Sequence, residues 1–119
     1  MTLSIDLVVQ MPVIPEFSRT ELESICNVLA DTRSGLTGSE MTTILARLDI
    51  PDPMPTMTKR HRLFEALIKR QAQTRSGNVV GALIQEAMNP VRYTDNHMLF
   101  DSRRDALNTI LAFCGYSLG

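Results

Sequence analysis

Apolar side chains recur at every second position through Leu3, Ile5, Leu7, Val9 and Met11, after which the chain meets prolines at 12 and 15. A period of two predicts a short strand or extended arm over residues 1–15, and the prolines bar it from the centre of a sheet. No other stretch offers a strand to pair with. The expectation is therefore a segment that lies on the rest of the molecule or pairs with another copy, with Leu3, Ile5, Leu7 and Val9 as its contact residues.

From Phe17 onward the period changes to that of a helix. Ser18-Arg19-Thr20-Glu21 and Thr37-Gly38-Ser39-Glu40 are both capping boxes, in which a hydroxyl and a carboxylate satisfy N–H groups of the first turn reciprocally. Phe17 with Leu22, and Leu36 with Met41, stand where hydrophobic staples close. Behind these starts run the stripes Leu22, Ile25, Cys26, Leu29 and Met41, Ile44, Leu45, Leu48, which predict helices over 19–31 and 38–48. Residues 49–57 hold three prolines and cannot continue a helix, so they read as a stiff connector. A third helix is expected over 58–73, then a break at "TRSGN". A fourth carries Val79, Val80, Leu83, Ile84, Ala87 and Met88 and stops at Asn89-Pro90. A fifth spans 97–114, capped by Asp95 or Asn96 and ended by Gly115. Rods with one apolar face each must bury those faces together, so the expected fold is all-α: a compact five-helix bundle over 16–119 with an extended N-terminal arm.

Length and composition agree with one ordinary globular domain. The chain has 119 residues, 44% hydrophobic and 21% charged, which is enough for one core without a disulfide or metal staple. Net charge is −1, which excludes a global cationic field and leaves any nucleic-acid contact to a local patch. No stretch approaches a membrane span or a secretion signal, and Cys26 and Cys114 fall among apolar residues as buried thiols do, so a cytoplasmic protein is expected.

The local patch is at the start of the third helix. "TMTKRHRLFEALIKR" places Lys59, Arg60, His61 and Arg62 where helices usually carry acids. On a helical wheel Leu63, Phe64, Leu67 and Ile68 share one side, while Lys59, Arg62, Lys69 and Arg70 gather opposite. Two readings follow: a solvated face, or a phosphate site built from open helix-start N–H groups and the surrounding cations. The second and third helices outline a helix-turn-helix, but the nine-residue connector is too long for the DNA-reading version. Arg103 lies within an apolar stripe, where its charge needs an acid, a carbonyl or a partner chain. Arg92 and His97 have the Arg-x4-His spacing of metal-independent HEPN ribonucleases, across a loop. No zinc-ligand spacing, glycine-rich phosphate loop, nucleophile elbow or carboxylate dyad is present, so neither enzyme, metal site nor cofactor is expected.

The segments "IPEF", "ESICNVLADTRSGLTGSEM", "IPDPMPTMTKRHRLFEAL", "NPVRY" and "RRDALNTILAFCGYSLG" together resemble the N-terminal domain of the Ymh-type family of bacterial proteins. Such proteins are similar to one another in carrying a HEPN-like C-terminal domain after this module, and they are discussed with abortive infection and phage defence. The resemblance implies an accessory module that recognises, regulates or oligomerises beside a C-terminal effector domain. The present sequence reaches Gly119, where that second domain would begin, and His97 is not part of the family pattern. The expectation is a non-catalytic interaction module. Its candidate partners are nucleic acid, through Lys59, Arg60, His61, Arg62, Lys69 and Arg70, or a second copy or other protein, through the arm and Arg103.

Overall fold

Two reciprocal caps set the first pair of helices. In α1 (Arg19–Leu29) the Ser18 hydroxyl accepts from the Glu21 N–H and the Glu21 carboxylate accepts from the Ser18 N–H, at 3.1 and 2.7 Å. In α2 (Gly38–Arg47) Thr37 and Glu40 repeat the arrangement at 3.1 and 2.9 Å. The four residues expected to staple these starts, Phe17, Leu22, Leu36 and Met41, are all buried in the core.

The structure is a computed structural model. It describes residues 14–31, 33, 35–52 and 56–112, with the backbone of 3–4 and 116–117. After α2 come α3 (Lys59–Thr74), α4 (Asn78–Ala87), a 3-10 turn (Pro90–Tyr93) and α5 (His97–Ala112). Asn96 caps α5 by accepting from the Leu99 N–H at 3.1 Å. Arg75 ends α3 in the left-handed conformation, with φ 55°. α1 packs against α3 and α5, and α4 lies against α3 and α2. Leu22, Ile25, Leu29, Ile44, Leu63, Leu67, Leu83, Ile84, Leu107 and Leu111 meet in one core. The fold is the expected all-α bundle of five helices. Its radius of gyration is 13.2 Å, close to the roughly 13.5 Å of a compact chain this long. Among the described residues no helix is long and apolar enough to cross a membrane.

The expectation that no other stretch offers a strand to pair with needs correction. Leu3–Ser4 (β1) pairs in parallel with Tyr116–Ser117 (β2), so the extended segment finds its partner at the far end of the same chain. Pattern reading could not propose a two-residue partner, because so short a run carries no periodicity. Ile5, Leu7 and Val9 lie outside the described residues. Ile14, at the end of the stretch expected as an arm, is already fully buried core.

What seats this entry segment is a set of polar stitches to the α3–α4 corner. The Ile14 N–H donates to Asn78 Oδ1 at 2.7 Å, and the Ile14 carbonyl accepts from the Gly77 N–H at 2.7 Å. Three residues on, Gln71 brackets Phe17. Its Oε1 accepts from the Phe17 N–H at 2.8 Å and its Nε2 donates to the Phe17 carbonyl at 2.9 Å. A side-chain amide here supplies what a strand partner would, since a buried peptide group must be paired. Gly77 is required by the close approach: a Cβ there would stand 2.5 Å from the Pro15 carbonyl oxygen.

Replacing Gln71 with Ala removes both bonds and leaves a buried N–H and carbonyl facing a void. The Gln71→Ala chain should lose about 2–4 kcal/mol in urea unfolding. A loss below about 0.5 kcal/mol, the level of a neutral surface change, would show that the bracket does not hold the segment.

Candidate functional site

The folded chain divides the basic residues at the start of α3 among different tasks. Arg62 is buried, 7% exposed. Its Nε donates to Asp52 Oδ2 at 2.8 Å, and Nη2 reaches the same carboxylate and Thr42 Oγ1, the latter at 2.6 Å. Nη1 donates to the Gly38 carbonyl at 3.3 Å. One guanidinium thus ties α3 to α2 and to the connector that joins them. This corrects its assignment to the solvated anion-binding group. The wheel placed Arg62 opposite the apolar stripe correctly, but α2 and the connector close over that side. Ile50 of the connector is also buried, so this segment contributes to the core rather than acting as a bare spacer.

Lys59 is half-buried and donates through Nζ to the Asp31 carbonyl at 2.9 Å. Arg60 is exposed and reaches Asn27 Oδ1 at 3.3 Å. His61 is exposed, its Nδ1 lying 3.0 Å from Thr58 Oγ1. Thr58 makes no side-chain bond to the N–H groups of its own helix, and the first turn holds no acid. Lys69 is exposed, and Arg70 is half-buried with Nη1 3.3 Å from Gln73 Oε1. The cationic outer surface of α3 is therefore real at Arg60 and Lys69, with exposed His61 beside them, but it is thinner than the sequence suggests.

A different cluster is assembled by the fold. Arg33 in the α1–α2 loop, Glu40 in the first turn of α2, Arg92 and Tyr93 in the 3-10 turn, Asn96 and Arg103 line one open cleft of about 420 Å³. Arg103 is 7% exposed, with Nη1 donating to Tyr93 Oη at 2.7 Å and the guanidinium carbon 5.4 Å from the Tyr93 ring centroid. The Tyr93 hydroxyl donates in turn to the Ala87 carbonyl at 2.8 Å, and the ring meets Phe100 edge-on, ring centroids 5.2 Å apart. The contact with Tyr93, an aromatic face and a phenol, is one the sequence did not propose for Arg103. Arg92 donates through Nε to the Glu86 carbonyl at 3.0 Å, and its Nη2 lies 3.4 Å from Glu86 Oε1. Its Nη1 is 3.9 Å from Glu40 Oε2, while Arg47 bonds to the same Glu86 carboxylate.

Arg92 lines the cleft and is held by Glu86, whereas exposed His97 does not line it. Among the described residues there is no group of three or more His, Cys, Asp or Glu side chains placed to hold a metal. Of the cleft residues, sequence reasoning singled out Arg92 and Arg103 separately. Nothing in the periodicity joined them to Arg33 or Tyr93, because the residues come from three segments whose approach is a tertiary event.

Cys26 lies beside Arg60, His61 and Phe64 at a second surface hollow, and its environment decides its chemistry. Burial, with the Glu23 carboxylate adding to it, pushes the thiol from 9.0 up to about 12. The folded state therefore keeps a proton that the unfolded chain releases above about pH 9. The associated stability is present below that pH and lost as pH rises toward 12.

Two outcomes follow. In a Cys114→Ser chain at pH 8, Cys26 should react with a disulfide reagent at least about a hundred-fold more slowly when native than when unfolded; equal rates would contradict the burial argument. Arg62→Met strands the Asp52 carboxylate and should cost about 3 kcal/mol in thermal unfolding, whereas Arg60→Ala should stay within about 0.5 kcal/mol. Compared with protein-family models, with curated proteins and with solved structures, the chain matches none.

Proposed function

We propose that this chain is a non-catalytic recognition module that takes hold of an anionic group of its partner. The observation carrying this reading is the convergence of Arg33, Arg92 and Arg103, from three separate segments, on one cleft. Guanidinium groups keep their charge when buried and present planar forks of donors, which suits oxyanions. Among the described residues the lining side chains sum to a formal charge of +2, three arginines less Glu40, on a chain whose net charge is −1. Such a local reversal of sign steers an anion to one place on the surface. Resemblance to Ymh-type proteins supports reading the module as the cytoplasmic, sensing or regulatory half of a defence-type bacterial protein with a HEPN-like effector domain.

A second reading puts nucleic-acid phosphates at the tip of α3. It is favoured by the absence of a side-chain cap at Thr58 and by the exposure of Arg60, His61 and Lys69. The loss of Arg62 to the interior and the tether on Lys59 count against it.

Titration of the arginine Nε–H resonances with inorganic phosphate at constant ionic strength separates the two. Saturable shifts at Arg33, Arg92 and Arg103 are expected, weakened by Arg33→Gln. Saturation at Arg60 instead would favour the α3 tip, and no saturable shift at any arginine would remove both readings.

A further inference from the structure

The hollow between α1 and α3 shares no lining residue with the arginine cleft, and its charged side chains are unequally engaged. Both of its arginines have partners on α1. Arg19 Nε lies 3.3 Å from Glu23 Oε1, and Arg60 Nη1 donates to Asn27 Oδ1 at 3.3 Å. Glu65 is different. Its side chain lines the same hollow, the residue is half-buried, and among the described residues it has neither a hydrogen bond nor an ion pair. Lys69 stands one turn further along α3, in the order that favours an ion pair, yet that pair does not form.

We infer that this hollow receives a guanidinium group, the side chain of an arginine presented by a partner protein, with Glu65 as its carboxylate. The inference is independent of the anion-recognition reading, since it uses neither the cleft nor its arginines.

Charge selects the sign of the ligand. A carboxylate partly withdrawn from water gains from a charge-assisted bond to a donor, and no group of this chain supplies one to Glu65 among the described residues. An anion in the same place would meet Glu23 and Glu65. It would also have to draw Arg19 or Arg60 away from its partner on α1.

The buried part of the lining selects the kind of cation. Phe64 and Cys26, 7% and 1% exposed, give the hollow an aromatic ring and a protonated thiol. A guanidinium is planar, weakly hydrated and able to lie against such a ring, and its aliphatic stem covers apolar surface, whereas a compact ammonium holds its water. The chain itself displays the combination. The Arg19 guanidinium carbon lies 4.9 Å from the Phe64 ring centroid while its Nε reaches Glu23. Glu65, the chain neighbour of Phe64, is a second carboxylate at the same hollow without a guanidinium of its own. The volume of about 260 Å³ is below the roughly 300–1,000 Å³ of small-molecule pockets and suits one inserted side chain.

Titration of the full chain with Nα-acetyl-arginine methylamide at constant ionic strength, followed at the Glu65 carboxyl and Phe64 amide resonances, tests the inference. Saturable shifts at both are expected. The lysine and citrulline counterparts, one with a compact cation and the other with a neutral planar head, should bind about ten-fold or more weakly. Glu65→Gln, read at the Phe64 amide, should weaken arginine binding about ten-fold. It should leave the unfolding temperature unchanged, because no bond within the described chain is lost. Arg33→Gln, at the cleft, should leave arginine binding unaltered, so that the two sites fail or stand separately. Absence of a saturable shift at Glu65 would overturn the inference, as would citrulline binding as tightly as arginine. Lysine binding as tightly would overturn the guanidinium assignment.

Discussion

Gln71 holds the N–H and the carbonyl of Phe17 at once, and much of the molecule's geometry follows from that bracket. Phe17 immediately precedes the cap of α1, so fixing its peptide groups fixes where α1 begins against α3. α1 in turn delivers the loop that bears Arg33. An amide is well matched to this task because it offers one donor and one acceptor in a plane, as a neighbouring strand does, without the cost of burying a charge. The segment it captures is extended and carries its own apolar anchors in Ile14 and Phe17. The polar bracket and the hydrophobic anchors therefore act on the same few residues, and neither alone would specify the register.

The two buried arginines show how one residue type serves different ends. Arg62 is surrounded by a carboxylate, a hydroxyl and a carbonyl drawn from α2 and its connector, and it acts as a tie between elements. Arg103 rests on an aromatic face and donates to a phenol while lining an open cleft. A guanidinium closed in by a carboxylate, a hydroxyl and a carbonyl has little left to offer a ligand, which is why the proposed site lies at the cleft rather than at the tip of α3.

The ion network at that opening couples stability to presentation. Glu86 is shared by Arg47 and Arg92, which links α2, α4 and the 3-10 turn. Glu40 caps α2 with one oxygen and stands at the cleft wall with the other. The side chains that orient Arg92 are thus already employed in holding helices together.

The sequence alone determined the elements: two capping boxes, two staples, the proline connector and the stripes of Leu, Ile and Val place five helices nearly where they occur. These are local features, written within three or four residues by the helix repeat and by the needs of unpaired N–H groups. It also made Arg92 and Arg103 noticeable one at a time. Only the tertiary structure decided that Arg62 would be interred, that β1 would meet β2, and that Arg33, Arg92 and Arg103 would share a cleft. A helical wheel reports the angle of a side chain about its own axis and nothing of what lies across from it. The neighbours that turn a surface cation into a buried tie, or set three scattered arginines along one cleft, come from segments distant in the chain.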